Sequence, residues 1–203
     1  MIIGVLGISG SGKDTIINRY LERFPGQKVH GTKVMMKGLG FEDIDIWDGK
    51  PIPDEYYQRS EDTDYDNKNR IIDTYVYDFY KDLKSKSDIY FVTLHLVVPK
   101  RAGDEIIYQT DLLRSWFEDI FDRFVYIHSD SQKIVERKVK DINTHSRDRG
   151  NTTVTFESTD MQNKIGAEEW AKFKSRIQNK IPFIEIENDD LGLSVREFMA
   201  FIK

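Results

Sequence analysis

The sequence contains no cysteine. This excludes disulfides and thiolate metal sites and is compatible with a reducing compartment. It also lacks a basic surplus. With 30 Lys and Arg against 35 Asp and Glu, the formal net charge is −5, which argues against a generic nucleic-acid binder. Long apolar runs are missing too: Met1 to Ile8 is short, has no basic flank and runs straight into glycines. It reads neither as a secretory signal nor as a membrane span, so a cytoplasmic protein with no membrane partner is expected. The four histidines show no zinc spacing. Asp43, Asp45 and Asp48 fail the glycine and final-glutamate spacing of a calcium loop. No internal repeat or low-complexity tract occurs.

What is present is a globular composition, 39% hydrophobic and 12% aromatic over 203 residues, enough for one domain that buries roughly 70% of its unfolded surface. Met1 to Leu6 reads as a buried strand, and Lys13 to Phe24 as a helix carrying Ile16, Ile17, Tyr20, Leu21 and Phe24 inward. Gln27 to His30 is a second strand, and Thr32 is placed to cap a short helix through Leu39. Residues 42–66 are dense in Asp and Glu and read as an exposed loop. Asn69 to Leu83 has a strong helical stripe, with Tyr75, Phe79 and Tyr80 as core packing. Ile89 to Val98 is a third strand ended by Pro99, followed by a helix around Gln109 to Phe121. Phe124 to Ile127 is a fourth strand, and Ser129-Asp130 caps the next helix, with Ile134, Val135, Val139 and Ile142 inward. Residues 144–166 are polar and read as a mobile loop. Glu168 to Gln178 is helical, Phe183 to Ile186 a last strand and Val195 to Ile202 a last helix. Alternating strands and helices imply right-handed crossovers, hence a three-layer α/β/α fold with a five-stranded parallel sheet.

The strongest motif is Gly7-Ile8-Ser9-Gly10-Ser11-Gly12-Lys13. It fits G-x-x-x-x-G-K and sits between a buried strand and an amphipathic helix, the context a phosphate-binding loop requires. Gly7, Gly10 and Gly12 let the backbone close around an anion, with Ser9 and Ser11 adding to the cradle. The helix start contributes partial positive charge, and Lys13 a full one. ATP is the expected ligand, with Mg²⁺. After Lys13 stands Asp14, where Ser or Thr usually meets magnesium. Asp14 either touches Mg²⁺ or is a first-turn acid that favours the helix dipole.

A phosphate loop alone does not separate kinases from GTPases or motor ATPases. No Asn-Lys-x-Asp base motif and no acidic pair ending an apolar strand occurs. Late in the chain Arg147 and Arg149 flank Asp148, after Arg137, Lys138 and Lys140. Arginines on a loop suit phosphoryl transfer, because cations clamped around the moving group stabilise its charge. Arg147 and Arg149 are therefore the expected lid cations, and Arg137 a nucleotide contact. His95, at the end of the third strand, is a candidate for the acceptor or its phosphate. Arg59, Arg70 and Arg101 are alternatives for gripping the acceptor phosphate.

These residues in this order resemble the archaeal-type adenylate kinase family over about residues 1–150. The phosphate loop comes first. His30-Gly31-Thr32-x-x-Met35 lies where that family has Phe-Gly-x-x-Met. Thr93-Leu94-His95 and Pro99-Lys100 lie where it has Asp-Thr-His and Thr-Pro-Lys-Gly. Arg137-Lys138-x-x-Asp141 and Arg147-Asp148-Arg149 look like its Arg-Arg-x-x-Asp and Arg-x-Arg lid. The chain departs from the pattern at Thr93, which replaces an aspartate near the metal, and at Arg101-Ala102-Gly103. Common adenylate kinases end the loop Lys-Gly-Thr, which implies a phosphate contact for Thr15. Gly-Lys-Asp-Thr also resembles phage-type deoxynucleoside monophosphate kinases, and Gly-Ile-Ser-Gly-Ser-Gly-Lys uridine kinases.

The resemblance implies a nucleoside monophosphate kinase of one domain. Gly31, Met35, Arg70, His95 and Arg101 would line an acceptor insertion at about residues 31–86 and its surroundings, and a short lid would span about 144–166. Related enzymes can be oligomeric. The rival readings are a phosphate-loop kinase acting on a nucleoside, deoxynucleotide or 5′-hydroxyl, and a nucleotide-dependent switch without turnover.

Overall fold

The structure is a computed structural model that describes residues 1–47, 50, 52, 56, 64–102, 105–110, 112–145 and 154–203. Its frame is a five-stranded sheet in the order β2-β3-β1-β6-β7, parallel throughout. The strands are β1 (Ile2–Leu6), β2 (Gln27–His30), β3 (Tyr90–Leu94), β6 (Arg123–His128) and β7 (Phe183–Glu187). β1 lies at the centre, and its four large apolar residues Ile2, Ile3, Val5 and Leu6 are fully buried. A strand covered on both faces needs a continuous apolar run, which is why its sequence does not alternate.

Side chains on successive strand positions point to opposite faces, so β1 feeds two cores. Ile3 and Val5 join α1 (Lys13–Leu21) and the last helix, α8 (Leu191–Ile202), through Ile16, Ile17, Tyr20, Val195, Phe198 and Ile202. The rings of Tyr20 and Phe91 meet at 5.0 Å between centroids. Ile2 and Leu6 join the opposite core, built with Val76, Tyr80, Leu83, Phe117, Phe124, Trp170 and Phe173. Gly4 points into this second core, where a Cβ would come within 2.5 Å of the Phe124 ring.

Between β2 and β3 run α2 (Gly31–Gly38), α3 (Tyr65–Ile71), a π-helical turn over Ile72–Val76 and α4 (Tyr77–Lys84). Residues 65–84 thus form the long helix expected from the Asn69 to Leu83 stripe. A small third cluster, Met36, Phe41 and Ile44, covers the far side of α2. Beyond β6 come α6 (Ser131–His145) and α7 (Phe156–Ile177), and between β3 and β6 a short α5 (Phe117–Ile120).

Several expectations need correction. The third strand stops at Leu94, and Val98–Ala102 (β4) pairs antiparallel with Glu105–Gln109 (β5) as a separate hairpin. The helix expected from Gln109 shrinks to the four residues of α5. Helix α2 begins at Gly31, with His30 and not Thr32 at its cap position. Residues 156–166, expected as loop, are the first half of α7, because Thr155 and Ser158 form a reciprocal cap there. Val139 is 42% exposed and faces away from the core. No helix among the described residues is long and apolar enough to cross a membrane.

Candidate active site

The chain leaving β1 crosses β3 to reach the sheet edge, whereas the chain leaving β3 crosses β1 to reach β6. Connections that diverge in this way open a crevice at the carboxyl ends of the two strands. The glycine-rich loop follows β1 into this crevice, and Thr93 to His95 follow β3.

The loop is fixed by contacts only glycine allows. Gly7 has φ 149°, and a Cβ there would strike the Ile127 carbonyl oxygen and come 2.7 Å from Ser11 Oγ. Gly12 has φ 95°, and a Cβ there would take the place of Asn188 Nδ2. Gly12 is also the cap residue of α1 and offers no side-chain cap. An uncapped helix start of this kind is the arrangement that receives an anion.

Lys13 is 5% exposed. Its Nζ donates to the carbonyls of Gly7 and Ile8, both at 2.8 Å, spending two of the three ammonium N–H groups. Burial pushes the ammonium down to about 8; Asp14 opposes that shift and Lys138 adds to it. A group in this state gains most from an arriving anion, which restores the favoured charge. The Ser11 hydroxyl is fully buried and has no hydrogen-bond partner.

Helix α6 brings cations to the same place. Arg137 Nη1 donates to the Ser11 carbonyl at 3.4 Å and Nη2 to the Asn188 carbonyl. Lys138, 8% exposed, lays its stem against Gly10 and donates to Gln162 Oε1 at 3.2 Å. Lys133, Glu136, Arg137 and Lys140 line an open groove of about 340 Å³ on this side. Arg137, expected as a nucleotide contact, thus lies against the loop at Ser11. Asn188 and the buried placement of Lys138 were not anticipated. Nothing local in Glu187-Asn188-Asp189 marks a residue that meets the chain 177 positions away.

On the other side of the loop, Asp14 Oδ1 lies 3.3 Å from Lys28 Nζ and 3.9 Å from His30 Nδ1. Thr93 Oγ1, 3.5 Å from the same His30 nitrogen, completes the cluster. Partial desolvation pushes the Asp14 carboxyl up, but Lys28, Lys13 and His30 together hold it below its ordinary value. Its carboxylate is 57% exposed. Thr15, next in the first turn, is exposed.

The acceptor-side residues converge only in part. Gly31, at the start of α2, abuts the end of β3: a Cβ there would lie 2.9 Å from the Thr93 carbonyl oxygen and 3.3 Å from Tyr80 Oη. His95 follows directly and is half-buried. Met35 packs into the apolar clusters on both sides of α2. Arg70 is exposed on α3 and donates to Asn67 Oδ1 at 2.8 Å. Arg101 lies on β4, paired with Ile106 across the hairpin. Arg59, Arg147 and Arg149 lie outside the described residues, as does Asp48.

No protein-family model and no curated protein matches the chain. Solved structures do. Shikimate kinase from Acinetobacter baumannii matches with a TM-score of 0.54 at 12% identity, over 99% of this chain and 92% of that one. Deoxyadenosine kinase from M. mycoides, solved with dCMP and dCDP, matches with a TM-score of 0.53 at 15% identity, over 100% and 98%. TT1252 from Thermus thermophilus matches with a TM-score of 0.51 at 12% identity, over 100% and 98%. At such identities the likeness is one of fold: this chain has the three-layer α/β/α architecture of phosphate-loop kinases.

Proposed function

We propose that the protein is an ATP-dependent phosphotransferase whose acceptor is a nucleoside or deoxynucleoside monophosphate. The observation that carries this reading is Lys13, buried beside an uncapped helix start inside a glycine loop. A triphosphate fits there: it would meet the first-turn amides of α1, replace the Gly7 and Ile8 carbonyls as partners of Lys13 Nζ, and face Arg137 from α6.

The acceptor class follows from Asp14. A hydroxyl acceptor, such as a sugar or nucleoside, needs a carboxylate to take its proton. Asp14 is the carboxylate nearest the loop in sequence, and Lys28 and His30 already hold it ionised with a lowered pKa. That makes it a weak base. A monophosphate needs no base, because the attacking oxygen is already anionic, and catalysis reduces to alignment and charge stabilisation.

In this reading Lys13 and the loop amides hold the donor phosphates. Arg147 and Arg149 supply the cations for the transferring group, and Gly31, His95 and one of Arg59, Arg70 and Arg101 receive the acceptor. Mg²⁺ keeps most of its waters and takes few protein oxygens; the exposed Asp14 carboxylate and the Thr15 hydroxyl suit it as neighbours, and its chemistry would be neutralising phosphate charge. The test is ADP release from Mg-ATP with a panel of monophosphates, nucleosides, shikimate and a 5′-hydroxyl oligonucleotide. Release driven by a monophosphate supports the proposal. Release driven only by hydroxyl acceptors, or nucleotide binding with no release on any acceptor, refutes it.

A further inference from the structure

We propose that Asn188 is a positioning residue for the phosphate loop, one that sets the peptide between Ser11 and Gly12 so that its N–H faces the phosphates. The proposal rests on the reading of Gly7 to Lys13 as a phosphate site.

Asn188 stands one residue beyond β7 and is 2% exposed. All of its backbone is engaged. Its N–H donates to the His128 carbonyl at 2.7 Å, and its carbonyl accepts from Ser129 Oγ at 3.1 Å and from Arg137 Nη2. The residue is thus anchored to the end of β6 and to Arg137 of α6 before its side chain does anything. That side chain reaches the loop, where Nδ2 donates to the Ser11 carbonyl at 2.8 Å. Arg137 Nη1 donates to the same oxygen from a second direction.

A trans peptide is planar, with its C=O and N–H pointing opposite ways. Two donors that draw the Ser11 carbonyl outward therefore turn the Gly12 N–H inward, to the side where the first-turn amides of α1 also point. Without them the plane is free to flip, and the same peptide then presents a carbonyl oxygen to an anion. Gly12 completes the fit, since a side chain at that position would occupy the space of the Asn188 amide. The glycine and the asparagine, 176 positions apart in the chain, are two halves of one device. Ser129 offers an internal control. It holds the same turn through Asn188 and Asp189 but makes no bond to the loop.

The experiment titrates sodium tripolyphosphate and ADP into wild type, Asn188→Leu, Asn188→Ala and Ser129→Ala by calorimetry. Thermal melts and initial rates on whichever acceptor is active accompany it. The Asn188 variants bind tripolyphosphate about tenfold more weakly, the scale of one hydrogen bond to a charged group. Their KM for ATP rises while kcat stays nearly constant, because the contact is made equally before and during transfer. Ser129→Ala keeps wild-type affinity. Unchanged tripolyphosphate affinity in an Asn188 variant that melts cooperatively overturns the proposal. So does an equal loss in Ser129→Ala, or failure of both Asn188 variants to fold, which would make the residue purely structural. Wild type that binds neither tripolyphosphate nor ADP removes the phosphate-site reading itself, a result distinct from all of these.

Discussion

Lys28 Nζ stands 3.3 Å from Asp14 Oδ1, tying β2 to the first turn of the helix that follows the glycine loop. The pair occupies a position where phosphate loops usually carry a hydroxyl for magnesium, so the two possible roles of Asp14 separate experimentally. If its main partners are Lys28 and His30, Asp14→Asn costs less than about tenfold in kcat/KM, the effect of a partly exposed pair rather than of a lost catalytic contact. A much larger loss, recovered by raising Mg²⁺, would identify a metal ligand instead.

The same pair has a pH signature. The Asp14 carboxyl titrates below its ordinary 3.8 in the folded chain. Its contribution to stability is therefore complete above that value and fades as pH falls through the lower, folded one. Melting temperature measured across the acid range should fall more gently in Asp14→Asn than in wild type; parallel curves would mean that the pair contributes nothing.

Lys13 is shifted down as well, but here burial disfavours the charged form. Its pKa drops from 10.5 to about 8 on folding, so between these values the unfolded chain binds more protons and stability rises with pH. A bound polyphosphate reverses the shift by favouring the ammonium. Binding of ADP just above pH 8 should then take up a proton, seen as a dependence of the calorimetric enthalpy on the buffer's ionisation enthalpy. Lys13→Met should abolish that dependence. Proton uptake that survives in the variant assigns the titration to another group.

Gly4 supplies a test of the frame that positions the site. A methyl group at this position would meet the Phe124 ring at 2.5 Å and Phe121 at 3.3 Å. Gly4→Ala should destabilise the fold by about 1–3 kcal/mol, as overpacking of a filled core does. Adding Phe124→Leu should return part of that loss, which urea unfolding of the single and double variants would show as non-additivity.

What the sequence made legible was local. The glycine loop, the first strand and the stripe from Asn69 to Leu83 each announce themselves within a short window, through glycine spacing or through an apolar run or hydrophobic period. The β4–β5 hairpin did not. Pro99 reads as the end of a strand, yet here it is the second residue of another one, antiparallel and outside the main sheet. The start of α7 was hidden because its first half is polar and contains Gly166, which lies against Ile8. Only the cap at Thr155 and Ser158 marks it. The site was legible on one side alone. Gly7 to Lys13 could be read directly, but the arrival of Arg137, Lys138 and Asn188 beside them depends on where β6 and β7 join the sheet, and no short window of sequence records such a meeting.

The proposed phosphoryl transfer depends on Lys13 and the loop that buries it. Single-turnover transfer of the γ-phosphoryl group from labelled ATP to the preferred monophosphate, compared between wild type and Lys13→Ala, tests it most directly. A fall in rate of at least about 100-fold is expected in a variant that still folds, the loss that follows when one preorganised charge is removed from the transition state. Transfer at close to the wild-type rate in that variant would contradict it.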